Sequence, residues 1–141
     1  MLLLQAREAT IARFRPILTA HGLTEQQWRV IRALLDEGPL EPRQIGALSC
    51  ISSPSLAGVL ARMDSLGLVR RNRMSHDQRR VTVELTAKSR QLARKLRPEI
   101  EVVYRAMEAQ AGGETISRLY ATLDDLLRQL EQIDNPEAVG D

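Results

Sequence analysis

With 141 residues, the chain has room for one domain, or for one lobe with a helical extension, and little for a second independent core. It is 43% hydrophobic with only one Trp, two Tyr and one Phe, so aliphatic side chains must build that core, as in a Leu-, Ala- and Arg-rich helical protein. The net charge of +2 hides a strong asymmetry, because Arg62, Arg70, Arg71, Arg73, Arg79 and Arg80 face only Asp64 and Asp77, whereas seven acids from Glu114 to Asp141 face Arg118 and Arg128. The first stretch suits polyanions and the second avoids them, although a charge run by itself is usually a solvated face.

The opening Leu2-Leu3-Leu4 run stops at Gln5 and Arg7. That is short of the ~7–15 apolar residues of a secretory signal and the ~20 of a membrane helix, so a cytoplasmic protein with no membrane partner is expected. Apolar positions Leu3, Leu4, Ile11, Phe14, Ile17 and Leu18 predict a first amphipathic helix, ended by His21-Gly22. Thr24 and Gln27 read as a capping box opening a second helix to about Glu37, with Trp28, Ile31, Leu34 and Leu35 as its buried stripe and Gly38-Pro39 as its stop. Leu40 to Leu48 predicts a short third helix with Pro42 in its first turn and Ile45 and Leu48 inward. After the turn Ser49-Cys50-Ile51, a fourth helix starts at Ser52 or Ser53 and carries Leu56, Val59, Leu60 and Met63 at helical spacing. Two short helices joined by a tight turn are the helix-turn-helix plan.

Beyond Gly67 the period changes. Residues 68–74 and 80–85 are short, partly β-branched runs separated by polar Ser75 to Arg79, which predicts a β-hairpin, or wing. Thr86 caps a long helix reaching Ala111, in which Pro98 predicts a kink or local break. Gly112-Gly113 reads as a turn. A last helix, Thr115 to Ile133, carries Ile116, Leu119, Tyr120, Leu123, Leu126, Leu127 and Leu130. The first helix and the last two hold more apolar surface than a small winged lobe can cover, so a two-fold homodimer is expected, in preference to a bundle folded on itself. The fold class expected is therefore mainly α with a small β-wing: a winged helix-turn-helix lobe (23–86) and a helical dimerisation region (1–22 and 87–141).

The exposed side of the fourth helix is predicted to be Ser53, Pro54, Ala57, Gly58, Ala61 and Arg62. Small residues let backbone approach base edges. Ser52, Ser53 and Ser55 offer short donors and acceptors, Ala57 suits a thymine methyl, and Arg62 suits a guanine or a phosphate. At the wing tip Arg79 and Arg80 suit a narrow minor groove, and Arg71 and Arg73 suit phosphates. Asp77 is read as orienting Arg79 through a bidentate hydrogen bond, with a plain turn-forming aspartate as the alternative. The expected partner is double-stranded DNA. No catalytic grouping of Ser, His, Asp or Cys and no phosphate-cradling glycine loop stands in the sequence, so an enzyme is not expected. Cys50 cannot form an intramolecular disulfide and reads as a small buried hydrophobe, with a redox sensor as the alternative; His21 and His76 show no metal-ligand spacing, and no cofactor is implied.

Asp77-Gln78-Arg79-Arg80-Val81-Thr82-Val83-Glu84-Leu85-Thr86, preceded by Met63-Asp64-Ser65-Leu66-Gly67-Leu68-Val69, resembles the wing signature of MarR-type transcriptional regulators. The resemblance implies a dimer whose terminal helices pair, whose fourth helix enters the major groove and whose Arg79 enters the minor groove. The operator it implies is a pseudo-palindrome with half-sites about one helical turn apart. Gln5-Ala6-Arg7-Glu8-Ala9, Phe14-Arg15-Pro16 and His21 to Val30 are similar to the branch that represses homoprotocatechuate and related aromatic-acid degradation operons, which implies release from DNA by an aromatic acid. Where Ser53 stands, that branch has an arginine, which bears on the operator sequence. Arg7, Arg15, His21, Trp28 and Arg29 are the candidates for binding a small aromatic carboxylate, with Arg15 as anchor. The same residues admit other roles: Trp28 in the core, His21 at a helix end, and Arg7 or Arg15 paired with Glu8 or with a partner chain. A winged protein-interaction module that never touches DNA remains the competing function, one that leaves the wing arginines without use.

Overall fold

The structure is a computed structural model and describes residues 1–134; the acidic residues Glu137 and Asp141 and the end of the expected dimerisation segment lie outside the described residues. In chain order the described residues form α1 (Leu2–Ala20), α2 (Glu25–Glu37), α3 (Pro42–Ser49), α4 (Ser53–Ser65), β1 (Val69–Met74), β2 (Asp77–Leu85), α5 (Ala87–Ala111) and α6 (Gly113–Asp134). This is the mainly helical chain with one antiparallel β-hairpin that the sequence predicts. It divides into two compact units, Met1–Ile100 and the residues from Glu101 on.

In the first unit local chemistry sets most of the boundaries. The capping box opening α2 is complete: Thr24 Oγ1 accepts from the Gln27 N–H and Gln27 Oε1 from the Thr24 N–H, both at 3.1 Å. Gly22 and Gly38, at φ 73° and 80°, end α1 and α2 in backbone conformations that cost glycine little. The buried face of α2 is Gln27, Val30, Ile31, Ala33 and Leu34, one step round from the predicted stripe. Trp28 is only half-buried and Leu35 is 41% exposed, because the face set by positions 27, 30, 31 and 34 is the one that meets α3 and α4. Val30, Ile31, Leu34, Ile45, Leu60 and Met63 are almost wholly buried, and each such side chain stabilises the fold by roughly 1.5–3 kcal/mol relative to exposure.

Three expectations around α3 are corrected. Leu40 is not helical but bridges β2, donating its N–H to the Val83 carbonyl at 3.1 Å and accepting from the Val83 N–H at 2.7 Å. Leu48 is 55% exposed, since Ile45 and Ser49, four apart, take the inward face of this short helix. Cys50 is exposed, not buried: it occupies a left-handed C-cap position (φ 52°, ψ 47°), while its neighbours Ser49 and Ile51 turn inward. The turn is tight enough that a Cβ on Gly46 would stand 3.1 Å from the Ile51 carbonyl oxygen, and Gly46 in turn accepts the Ile51 N–H at 3.1 Å. That close approach sets the angle at which α4 leaves α3.

The hairpin is longer than predicted, with β2 starting at Asp77 and only Ser75-His76 between the strands. Pairing runs from Val69 opposite Leu85 to Arg73 opposite Val81, and then jumps to Met74 opposite Asp77. Residues 78–80 therefore bulge from the ladder at the wing tip. Thr86 caps α5 as predicted, exchanging hydrogen bonds with Ser89. Ser89, Ala93, Leu96 and Ile100 bury the first half of that helix, which passes Pro98 without a break.

The second unit holds the end of α5 and all of α6. Gly112 (φ 90°) separates them, and α6 already begins at Gly113, two residues before the predicted start. From Glu101 to Glu131 no side chain is buried, and Val102, Tyr104, Leu119, Tyr120, Leu126, Leu127 and Leu130 are each at least 41% exposed.

Candidate nucleic-acid interface

The candidate recognition element is the first half of α4. Ser52 is its N-cap, Pro54 sits in its first turn, and burial of Leu56, Leu60 and Met63 turns Ser53, Pro54, Ser55, Ala57, Gly58, Ala61 and Arg62 outward. A 3.1 Å hydrogen bond from Ser52 Oγ to Ser55 Oγ holds the hydroxyls together at the helix start. The outward face is thus small, polar and followed by a cation one turn on, and α4 packs against β1 at the base of the wing.

The wing arginines fall into two groups. Arg70 and Arg80 are committed within the chain. Arg70 donates from Nε to Glu84 Oε1 at 2.9 Å, and with Asn72 it holds the Glu84 carboxyl below the usual carboxylate range. Arg80 donates from Nε to Glu41 Oε1 at 2.7 Å and makes a second contact to the same oxygen through Nη2. Among the described residues the guanidinium groups of Arg43, Arg62, Arg71 and Arg79 have no hydrogen-bond or ion-pair partner. Glu41, Pro42, Arg43, Arg71, Arg73, Arg79, Arg80 and Val81 line a groove of about 510 Å³ between the start of α3 and the wing. Five arginines around one carboxylate make it a strongly positive concavity, suited to a polyanion.

Asp77 does not form the bidentate pair with Arg79. Its Oδ1 accepts from the Arg79 backbone N–H at 3.0 Å, the turn-forming alternative. The contact restrains the backbone of the bulge and leaves the Arg79 guanidinium available. Glu41 and Arg43 were not among the residues singled out from the sequence. The local signal for Glu41 is an acid before Pro42 with Gln44 three positions on, a capping pair at the start of α3, while its partner Arg80 lies 39 positions away.

Of the candidate effector residues, Arg15 lies at a cavity and Arg7, Arg15, His21 and Arg29 each have a partner within the chain. Arg15 lines a cavity of about 400 Å³ with Leu18, Thr19, Gly22, Leu23, Thr24 and Glu25. It is also paired bidentately with Glu8, at 2.5 and 3.0 Å, which holds the Glu8 carboxyl below its usual range and raises Arg15 above its own. Arg7 pairs with Glu25, and His21 Nε2 lies 2.6 Å from Glu99 Oε2. Arg29 donates from Nη1 to the Ser49 carbonyl at 2.8 Å, so it crosses from α2 to cap the end of α3. Trp28 is half-buried on α2. Among the described residues no group of three or more His, Cys, Asp or Glu is placed to hold a metal, and no single helix is long and apolar enough to cross a membrane.

Comparison with known proteins accords with this geometry. Residues 21–80 match the model of the MarR family, the span from the end of α1 to the wing tip. The chain is 41% identical over 133 residues to the HTH-type transcriptional regulator FarR of Neisseria gonorrhoeae, covering 94% of this chain and 88% of the relative. It is 40% identical over 125 residues to the homoprotocatechuate degradative operon repressor of Escherichia coli, covering 89% and 84%. A solved structure of NadR in complex with 4-hydroxyphenylacetate superposes with a TM-score of 0.76 at 42% identity, covering 88% of each chain. With this similarity along almost its whole length and a winged helix-turn-helix fold, the chain belongs to the MarR family and is a transcriptional regulator rather than an enzyme.

Proposed function

We propose that the protein is a homodimeric repressor that binds a pseudo-palindromic DNA operator and leaves it when a small aromatic carboxylate binds. The observation that carries this reading is that one unit joins an exposed small-residue helix start to Arg62, Arg71 and Arg79, which have no carboxylate partner among the described residues. In this reading residues 23–86 form the DNA-binding lobe, and residues 1–22 and 87–141 supply the dimerisation helices. Ser52, Ser53, Pro54, Ser55, Ala57 and Gly58 approach base edges in the major groove, and Arg62 reaches a guanine or a phosphate. Arg71 and Arg73 neutralise phosphates. Arg79 probes the minor groove, with Asp77 setting its backbone and Arg80 beside it.

The apolar surface supports a second copy. Thirty-one consecutive residues, Glu101 to Glu131, bury no side chain completely while displaying leucines, tyrosines and a valine, and ordering such a segment without covering it is unfavourable. Pairing across a two-fold axis covers it and places two recognition helices about one helical turn apart.

The aromatic carboxylate is supported by two relatives, the repressor of a homoprotocatechuate degradative operon and NadR with bound 4-hydroxyphenylacetate. Arg15 is the anchor the geometry favours, because it lines a cavity and its present partner, Glu8, is a carboxylate that a ligand carboxylate replaces without loss of charge pairing. Arg7, His21 and Arg29 hold partners of their own chain, so with Trp28 they contribute by shaping the surroundings of Arg15. Binding releases DNA only if the ligand prefers a dimer with wrongly spaced recognition helices.

The experiment is anisotropy titration of the promoter duplex beside the protein's own gene, with and without 4-hydroxyphenylacetate, alongside sedimentation. A dimer that binds this duplex, loses at least about tenfold in affinity on Arg79→Ala and stays dimeric supports the reading. A monomer, or unchanged affinity in Arg79→Ala, defeats it.

A further inference from the structure

We infer that Glu41 is a specificity-determining residue, which holds Arg80 off the DNA backbone and ties the wing to the start of α3. The inference rests on the DNA-binding reading and concerns a residue that touches no DNA itself. Glu41 directly follows Leu40, which bridges to Val83 of β2, and its own backbone N–H donates to Gln44 Oε1 at 2.9 Å. Its carboxylate is therefore carried on anchored backbone. Arg80, by contrast, belongs to the bulged segment 78–80, which the strand ladder does not hold. The Nε and Nη2 contacts to Glu41 Oε1 thus join a fixed point on the helical lobe to an otherwise unladdered wing tip.

Two consequences follow from the charges. Among the described residues Glu41 is the one acid lining a groove shared by five arginines, and Arg80 is the groove arginine it neutralises. Phosphates attract every free arginine whatever the base sequence, so a cation withheld from them lowers non-specific binding. The second consequence is positional, since Arg79 is the next residue along the chain. With its N–H held by Asp77 and its neighbour's side chain held by Glu41, the probe for the minor groove is restrained on both sides. Exposed ion pairs add little to stability, and the Arg80 side chain is half exposed, so the pair acts mainly on where the arginines point.

The test titrates two duplexes, the promoter beside the protein's own gene and a scrambled sequence of the same length, with wild type, Glu41→Gln, Arg80→Gln and the double variant. Glu41→Gln is expected to bind the scrambled duplex roughly threefold more tightly, and its preference for the promoter is expected to fall about tenfold. The salt slope on the scrambled duplex steepens by about one unit for each arginine released. Arg80→Gln lowers the preference without the gain on scrambled DNA, and the double variant loses that gain. Since Arg80→Gln and Glu41→Gln break the pair from opposite sides, a folding defect in one leaves the other decisive. An unchanged preference in either, or an equal rise on both duplexes in Glu41→Gln, overturns the inference. A wild type that does not prefer the promoter overturns the DNA-binding reading itself, and the two failures are distinguishable.

Discussion

Arg7 and Arg15 of α1 and Arg62, Arg71 and Arg79 of α4 and the wing have the same chemistry and opposite situations. Arg7 and Arg15 each meet a glutamate, Glu25 and Glu8, so their charge is cancelled within the chain. Arg62, Arg71 and Arg79 meet none among the described residues, and Arg29 donates to the carbonyl end of α3. An arginine therefore does one of three jobs here: ion pair, structural cap or open cation. Only the third leaves charge for a polyanion, and sequence composition does not separate the three.

The sharpest way to break this comparison is salt. If a dimer neutralises on the order of eight phosphates, log K for the promoter duplex falls with a slope of about −7 against log salt, a loss of about four orders of magnitude for a fourfold rise in salt. A shallow slope means that the open arginines do not meet phosphates. Next in size is Arg29→Ala. Removing a partly buried cation from the Ser49 carbonyl is expected to lower unfolding free energy by about 2 kcal/mol in chemical denaturation, because charged hydrogen bonds are the strong class. Stability within experimental error of wild type would place Arg29 outside the helix-turn-helix framework.

Arg71→Ala is expected to weaken promoter and scrambled duplexes alike by about threefold to tenfold, as a lost phosphate contact does, whereas Arg7→Ala leaves both unchanged. Equal effects of the two substitutions would erase the distinction between paired and open arginines. The smallest expected effect is acid sensitivity. The Glu8 and Glu84 carboxyls are held below the ordinary carboxyl value of 4.5 by hydrogen bonds from Arg15 and Arg70, so their contribution is present above that value and is lost as pH falls through the depressed folded values. Glu8→Gln and Glu84→Gln are each expected to flatten slightly the fall in thermal midpoint below about pH 4.5. An unaltered acid limb in both variants would remove these pairs from the pH dependence.

The elements and their order were readable from the chain because their signals are local. The Thr24–Gln27 box, Pro42 and Pro54 in first turns, glycines at helix ends and the change of period after Gly67 each act within a few residues. The outward face of α4 was readable too, since helical geometry turns 53, 54, 57, 58, 61 and 62 away once Leu56, Leu60 and Met63 go inward. Other details were decided elsewhere. Leu40 pairs with a strand 43 positions on, so its local helical context was outweighed by two long-range hydrogen bonds. Trp28, Leu35, Leu48 and Cys50 were assigned inward on side-chain type, yet inward direction depends on which neighbouring element arrives, and that is fixed by packing.

By itself, then, the sequence determined the helix and strand types, the wing and the small polar start of α4, because these follow from dihedral preferences and periodicities within one or two turns. Which arginine is cancelled and which stays open was decided only when the fold brought Glu41 to Arg80 and left Arg79 without a carboxylate among the described residues. The reason is the range of the forces: backbone preferences act between neighbours along the chain, whereas charges act between neighbours in space.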